Sequence, residues 1–194
     1  MTEEEILETK EEFLDIYYQI ERDGADKLLE YLEKTDFFTA PASTRRHSSY
    51  AGGLCRHSIN VYKRFVRILE MEYGKDWTDK IPLESVTIIG LLHDICKVNC
   101  YEIELRNVKE DGVWKQKPYY KFADSLPYGH GEKSVYMISA YMRLTREEAM
   151  AINWHMGAFD ARAQQGLENA FKKYPLAFLF HISDYMATYL DELD

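Results

Sequence analysis

Two ionisable neighbours, His93 and Asp94, stand inside Leu91-Leu92-His93-Asp94-Ile95-Cys96-Lys97, in the most apolar part of the chain. An imidazole and a carboxylate withdrawn from water are costly unless each finds a partner. One divalent cation serves both, because neutral imidazole and carboxylate together suit transition or borderline metals. Any fold of this chain must therefore bury residues 86–98 and still satisfy that pair. The pair predicts further ligands elsewhere.

The bulk numbers narrow the rest. A chain of 194 residues with 46% hydrophobic content fits one domain with a real core. A formal net charge of -9 disfavours a long nucleic acid as partner, since a polyanion meets net repulsion. The acidic start Met1-Thr2-Glu3-Glu4-Glu5 lacks the layout of a signal peptide. The apolar run Val86 to Leu92 falls far short of the ~20 residues that span a bilayer. The expected setting is the cytoplasm, with no membrane partner. Cys55, Cys96 and Cys100 show no paired-motif spacing and read as buried thiols in a reducing compartment.

Helical periodicity dominates the chain. Thr2 and Glu5 form a capping box for a helix running to about Arg22, and Ala25 to Lys34 supports a second. These make an N-terminal helical section, residues 1–35. Residues 35–53 read as an irregular connection closed by Gly52-Gly53, long enough to be functional. From Leu54 a helical stripe returns, with His57, Val61, Phe65 and Ile68 on one face. Pro82 suits the first turn of a helix whose residues 86–98 are apolar nearly all round. The β signal lies at 101–122, where two runs flank the turn pair Asp111-Gly112. Helix returns over Glu132 to Met142, then behind a Thr145/Glu148 capping box to about His155, with Gly157 as its stop. A last helix starts at Pro175. The expected fold is an all-α bundle, with its metal-binding core over 46–190 and one β-hairpin insertion.

Several polar residues sit on faces that should point inward. His57 shares a stripe with Leu54 and Val61, and Asp184 shares one with Ala177, Phe180 and Thr188. His93 and Asp94, about 100° apart on one helix, can lean toward a common point. Four metal-compatible residues from three helices favour one shared metal site over separate core residues. His130 opens a helix and His155 closes one. Alone each is an ordinary cap or surface residue. Together they fit a second metal bridged by Asp94, at the ~3.5–4 Å spacing of two-metal phosphoryl sites. Lys97, one turn beyond the pair, reads as an ammonium for a substrate phosphate or for the attacking water, or else as a snorkelling lysine. Arg45, Arg46 and Arg56 flank the first ligand and can take phosphate bidentately, or are solvated surface charges. Trp114, Tyr119 and Tyr120 offer either an aromatic wall over the substrate or packing for the hairpin.

The series His57, His93-Asp94, Asp184 resembles the HD-domain phosphohydrolase superfamily. The intervening His130 and His155 make it similar to the binuclear branch, which includes phosphodiesterases. Gly52-Gly53-Leu54-x-x-His57 followed by Leu91-Leu92-His93-Asp94-x-x-Lys97 carries the likeness, over roughly Arg46 to Leu190. A bacterial 3′–5′ exoribonuclease HD domain is similar as well, and its histidine before the first ligand is matched by His47. Those exoribonucleases also carry an OB fold, for which this chain has no room.

The resemblance implies roles. His57, His93, Asp94 and Asp184 would hold one divalent ion, and Asp94, His130 and His155 a second. Mn, Fe, Co, Ni and Zn are not distinguished by such ligands. Asp94 and Lys97 would be catalytic, with Arg45, Arg46, Arg56 and His47 on the substrate. The implied reaction is phosphoester hydrolysis of a nucleotide or short phosphodiester by a metal-bound hydroxide. The same ligand order occurs in HD-type di-iron oxygenases of small substrates, which stands as an alternative. A non-enzymatic, metal-stabilised nucleotide-binding module is the other.

Overall fold

The computed structural model describes residues 1–192. Eight α-helices among these residues surround the site, and one two-stranded ribbon projects from the bundle. Helix α1 spans Glu3–Tyr17, α2 Ala25–Glu33, α3 Gly53–Tyr73 and α4 Leu83–Leu92. The antiparallel ribbon follows, β1 Tyr101–Glu110 and β2 Val113–Phe122, and then α5 His130–Ser139, α6 Arg146–Asn153, α7 Ala163–Lys173 and α8 Pro175–Met186. A π turn, Ala187–Asp191, extends α8. No helix of the described residues is long and apolar enough to cross a membrane.

Both expected capping boxes are present. The Glu5 backbone N–H donates to Thr2 Oγ1, and the Glu148 backbone N–H donates to Thr145 Oγ1, each at 3.2 Å. Helix α1 stops at Tyr17, short of the expected Arg22. Buried Tyr17 donates its hydroxyl to the Ala25 carbonyl at 2.8 Å, which turns the chain into α2. The turn delivers Arg22 to Glu148, at 2.6 and 2.9 Å. Helix α5 begins at His130, the residue expected to open it, and ends at Ser139, short of the expected Met142. Helix α7 was not among the expected elements, although Ala163, Leu167, Ala170 and Phe171 form a short apolar stripe along it, of which only Ala170 is fully buried.

The largest departure lies at the central pair. The expected helix over 86–98 ends at Leu92, and a 3-10 turn at Ile95–Lys97 follows. Asp94 takes φ -108°, ψ 14°, outside helical geometry, and Lys97 donates its N–H back to the Asp94 carbonyl at 3.0 Å. This bend, rather than a common helix face, turns both His93 and Asp94 inward.

The central layer is α3 against α4 and α8. Gly90 permits the closest approach, since a Cβ there would sit 2.9 Å from the Tyr62 Cβ. That contact sets the level of His93 on α4 against His57 on α3. Phe65 and Phe180 meet at 5.1 Å between ring centroids, and Phe180 also lies 5.2 Å from the His93 ring. They form an apolar floor under the polar cluster. The ribbon is clamped at its base: Ala123 N–H donates to the Cys100 carbonyl at 2.8 Å, and buried Lys133 of α5 reaches Asp124 at 2.5 Å. Cys55, Cys96 and Cys100 are buried free thiols.

Glu148 ties the ends of this framework together. Its carboxylate is fully buried and accepts from Arg22, from Ser85 at 2.6 Å and from the Thr145 N–H at 2.7 Å. Burial opposes ionisation of this carboxyl, but Arg22 and Ser85 outweigh it and lower the pKa below 4.5. Glu148→Gln leaves Arg22 half-paired and is expected to cost about 3 kcal/mol in chemical denaturation. The sign with pH follows from the lowered pKa. The Glu148 contribution is complete above pH 4.5 and is lost as acid protonates the folded-state carboxyl, so the variant's deficit should shrink at low pH.

Candidate metal centre

Six side chains from five segments meet around one carboxylate. Asp94 is 2% exposed. His130 Nε2 lies 2.8 Å from its Oδ1, and His155 Nε2 lies 3.5 Å from the same oxygen. On the other oxygen, Lys97 Nζ stands at 2.6 Å and His57 Nε2 at 3.5 Å. Asp184 Oδ1 is 3.3 Å from His57 Nε2, and so is His93 Nε2. Every expected ligand therefore faces the same point.

The opposite ring nitrogens explain this aim. His93 Nδ1 donates to the Gly90 carbonyl at 2.9 Å, and His155 Nδ1 donates to the Ile152 carbonyl at 2.6 Å. In the neutral form of either ring that leaves a lone pair on Nε2. His57 Nδ1 faces Glu192 at 3.0 and 3.1 Å, and His130 Nδ1 faces the Cys96 sulfur at 3.4 Å. Such outer partners fix the tautomer and raise the basicity of ligating histidines. His155 Nε2 is buried and has no hydrogen-bond partner among the described residues. An orphaned lone pair beside two carboxylates and three other imidazoles fits a divalent cation.

Electrostatics give the same reading. Burial would lower the His57 pKa, but Glu192 and Asp184 outweigh it and raise it to about 10. Burial pushes His93 down to about 3. Asp94 resists burial because Lys97, His93 and His130 hold it well below the usual carboxylate range. Asp184 is lowered likewise, against burial, by His57. Glu192 falls to about 2 for the same reason, with His57 the leading cause. Asp94 and Asp184 also raise the His155 pKa against burial, so ionised carboxylates surround a cationic His57 and favour positive charge at the centre. The His57 proton stands where a metal would stand.

Donor atoms fall into four groups within 4.8 Å: His47, His57 and Glu192; His57, His93 and Asp184; His93, Asp94 and His155; and Asp94, Cys96 and His130. One or two divalent ions fit these groups. Glu192 was not legible, because it ends an acidic run, Asp191-Glu192, that resembles a solvated tail. It also accepts from Ser48 at 2.8 Å and Asn60 at 3.1 Å. Cys96 as the His130 partner lacked a signal as well. His181 donates to the His155 carbonyl at 2.6 Å and thereby supports that ligand's turn. Gly157, φ 53°, makes room for it: a Cβ there would sit 2.3 Å from the His181 ring.

The cluster opens into a cavity of about 740 Å³. Arg46, His47 and Lys97 line it, together with Tyr101, Phe122, Phe159, Tyr185 and Tyr189. His47 Nδ1 is buried without a partner among the described residues, and burial followed by His57 lowers this imidazole to about 4. Two expected substrate residues are placed elsewhere. Arg56 turns to α1, reaching Glu12 at 2.7 Å and Thr9 at 2.5 Å, because α3 presents it to that acidic helix. Arg45 is exposed on its loop and does not line the cavity. None of Trp114, Tyr119 and Tyr120 lines the cavity; the ribbon's contribution comes from other residues. Tyr101 and Phe122, at the ribbon's base, border the cavity, whereas Trp114 sits exposed near the tip and Tyr119 lies under Arg106.

Glu192→Gln weakens the acceptor behind His57 and should lower metal affinity about 10–100-fold in a chelator competition, with the fold unchanged. Metal binding must also expel the His57 proton. Apparent affinity should therefore rise with pH up to about 10, and calorimetry in buffers of different ionisation enthalpy should report proton release.

No curated protein and no solved structure matches this chain significantly. A family model does: the HD domain matches residues 54–189, from the first turn of α3 to the π turn after Asp184. That stretch holds every histidine and aspartate of the cluster, and the chain belongs to the HD-domain family of metal-dependent hydrolases.

Proposed function

We propose that this protein hydrolyses a phosphoester bond in a nucleotide or short phosphodiester. The convergence of His57, Asp94, His130, His155 and Asp184 with Lys97 and Arg46 on one cavity, with His93 just behind them, carries this reading. One divalent ion, or two, held by His57, His93, Asp94, Asp184, His130 and His155 would supply Lewis-acid polarisation of phosphate and acidify water.

The chain's own residues supply the remaining tasks. Arg46, exposed at the rim, presents a planar guanidinium that matches two phosphate oxygens. Lys97 keeps its ammonium beside Asp94 and offsets negative charge that develops on phosphoryl oxygens in the transition state. Burial alone would lower its pKa, but Asp94 raises it, so Lys97 stays charged across the physiological range. Neutral His47 offers a ring nitrogen to a phosphate or leaving-group oxygen. The rings of Tyr101, Phe122, Phe159, Tyr185 and Tyr189 exclude water and give a flat group a surface to stack on. A cavity of about 740 Å³ suits a ligand of nucleotide size.

Purified protein should carry divalent metal and turn over members of a panel of nucleotides, phosphomonoesters and phosphodiesters. Asp94→Ala should lose both metal and turnover. Lys97→Met should keep its metal and lose about 100-fold or more in kcat, as expected when a charge aimed at the transition state is removed. Iron-loaded protein that consumes oxygen with an organic substrate, and leaves every phosphoester intact, would overturn the proposal in favour of an oxygenase.

A further inference from the structure

The ribbon is built with its faces the wrong way round for a segment that ends in water. Register places Tyr101 opposite Phe122, Ile103 opposite Tyr120, Leu105 opposite Pro118, Asn107 opposite Gln116 and Lys109 opposite Trp114 on one face, apolar but for the Asn107–Gln116 amide pair and Lys109. The other face carries Glu102, Glu104, Arg106, Val108 and Glu110 opposite Lys121, Tyr119, Lys117, Lys115 and the exposed Val113. That charged face satisfies itself: Arg106 bonds Glu104 at 2.8 Å and stacks over Tyr119, and Lys117 pairs with Glu110. The apolar face is left open, with Ile103 70%, Leu105 61%, Trp114 67% and Phe122 50% exposed. A lone two-stranded ribbon is marginal in water unless a third layer covers its apolar side. Among the described residues, nothing beyond the base does so.

We propose that a second copy of this chain covers it, the two ribbons packing apolar face to apolar face in an antiparallel, two-fold arrangement. The face is self-complementary, as a two-fold interface requires, and its one cation is Lys109 near the tip. The exposed parts of those four side chains amount to roughly 500 Å² per copy, so full covering buries about 1,000 Å², at the lower edge of specific interfaces. Few cations on this face argue against a nucleic-acid strand, whose phosphates would need them.

Charge selects the antiparallel form. Five cations and four anions give residues 101–122 a net charge of +1, which leaves -10 on the rest of the chain. Antiparallel ribbons hold the two acidic bodies at opposite ends of a strand pair about 34 Å long, well beyond the ~8 Å screening length. Parallel ribbons would press the bodies together. The antiparallel form also lays the tip of one ribbon over the base of the other, where Tyr101 and Phe122 line the cavity. The partner's Trp114 and the partner's Lys109 then complete the cavity mouth.

Analytical ultracentrifugation at tens of micromolar should give twice the 22.9 kDa chain mass for the wild-type protein. Ile103→Glu and Leu105→Glu, both at exposed strand positions, should each give monomers with unchanged helicity and metal content. A mixture of Trp114→Cys and Phe122→Cys proteins, treated with a short bismaleimide, should yield the mixed cross-linked dimer. A wild-type monomer at every concentration would overturn the proposal. So would a dimer that survives both glutamate variants, or cross-links that join only Trp114→Cys to Trp114→Cys.

Discussion

Removing the Asp94 carboxylate from water is the cost around which this molecule is arranged. An ionised carboxylate cannot stay buried without cations or donors on its lone pairs. Here Lys97 and His130 take one oxygen each at hydrogen-bond distance, and His57 and His155 stand just beyond. His93 and Asp184 fill the next positions outward. Each imidazole is held from behind, by Gly90, Ile152, Glu192 or Cys96, so that its free nitrogen has one direction to point. The donor set is pre-aimed, which is what a metal with exacting geometry needs.

The framework around the cluster can be understood as support for that aim. Gly90 lets α4 close on α3, and the bend after Leu92 then turns two consecutive residues inward where a continuous helix would have spread them. Gly157 clears space for His181, which grips the carbonyl of His155. The buried Glu148–Arg22 pair joins the α1–α2 turn to α6, the helix that leads into His155. Lys133 ties the ribbon's base to the helix that begins with His130. Displacing any of these would move a ligand by less than a helical turn, yet such sites tolerate only about 0.5 Å.

Much of this was legible in the sequence, for physical reasons that differ between residues. Caps at Thr2 and Thr145 and the Asp111-Gly112 turn are local chemistry and read directly. His57 and Asp184 stood out because polar residues on apolar stripes demand an explanation. Glu192 did not stand out, since an acidic chain end is ordinarily solvated and only tertiary folding brings it onto His57. Helix α7 escaped because its apolar stripe, Ala163, Leu167, Ala170 and Phe171, is short and interrupted by Gly166. The bend at Asp94 escaped because unbroken apolar sequence reads as unbroken helix, while the cluster itself pulls the backbone out of helical geometry. Arg56 illustrates the opposite error: proximity in sequence to His57 suggested a shared site, but neighbouring helix positions face different ways.

Anomalous diffraction from crystals soaked in manganese, recorded above the manganese edge, tests the centre most directly. A peak should lie between His57, His93, Asp94 and Asp184, with any second peak between Asp94, His130 and His155. Both should sit within about 2.0–2.2 Å of nitrogen and oxygen donors. Absence of any peak within reach of Asp94, with His155 Nε2 still unpartnered, would contradict a metal-centred fold.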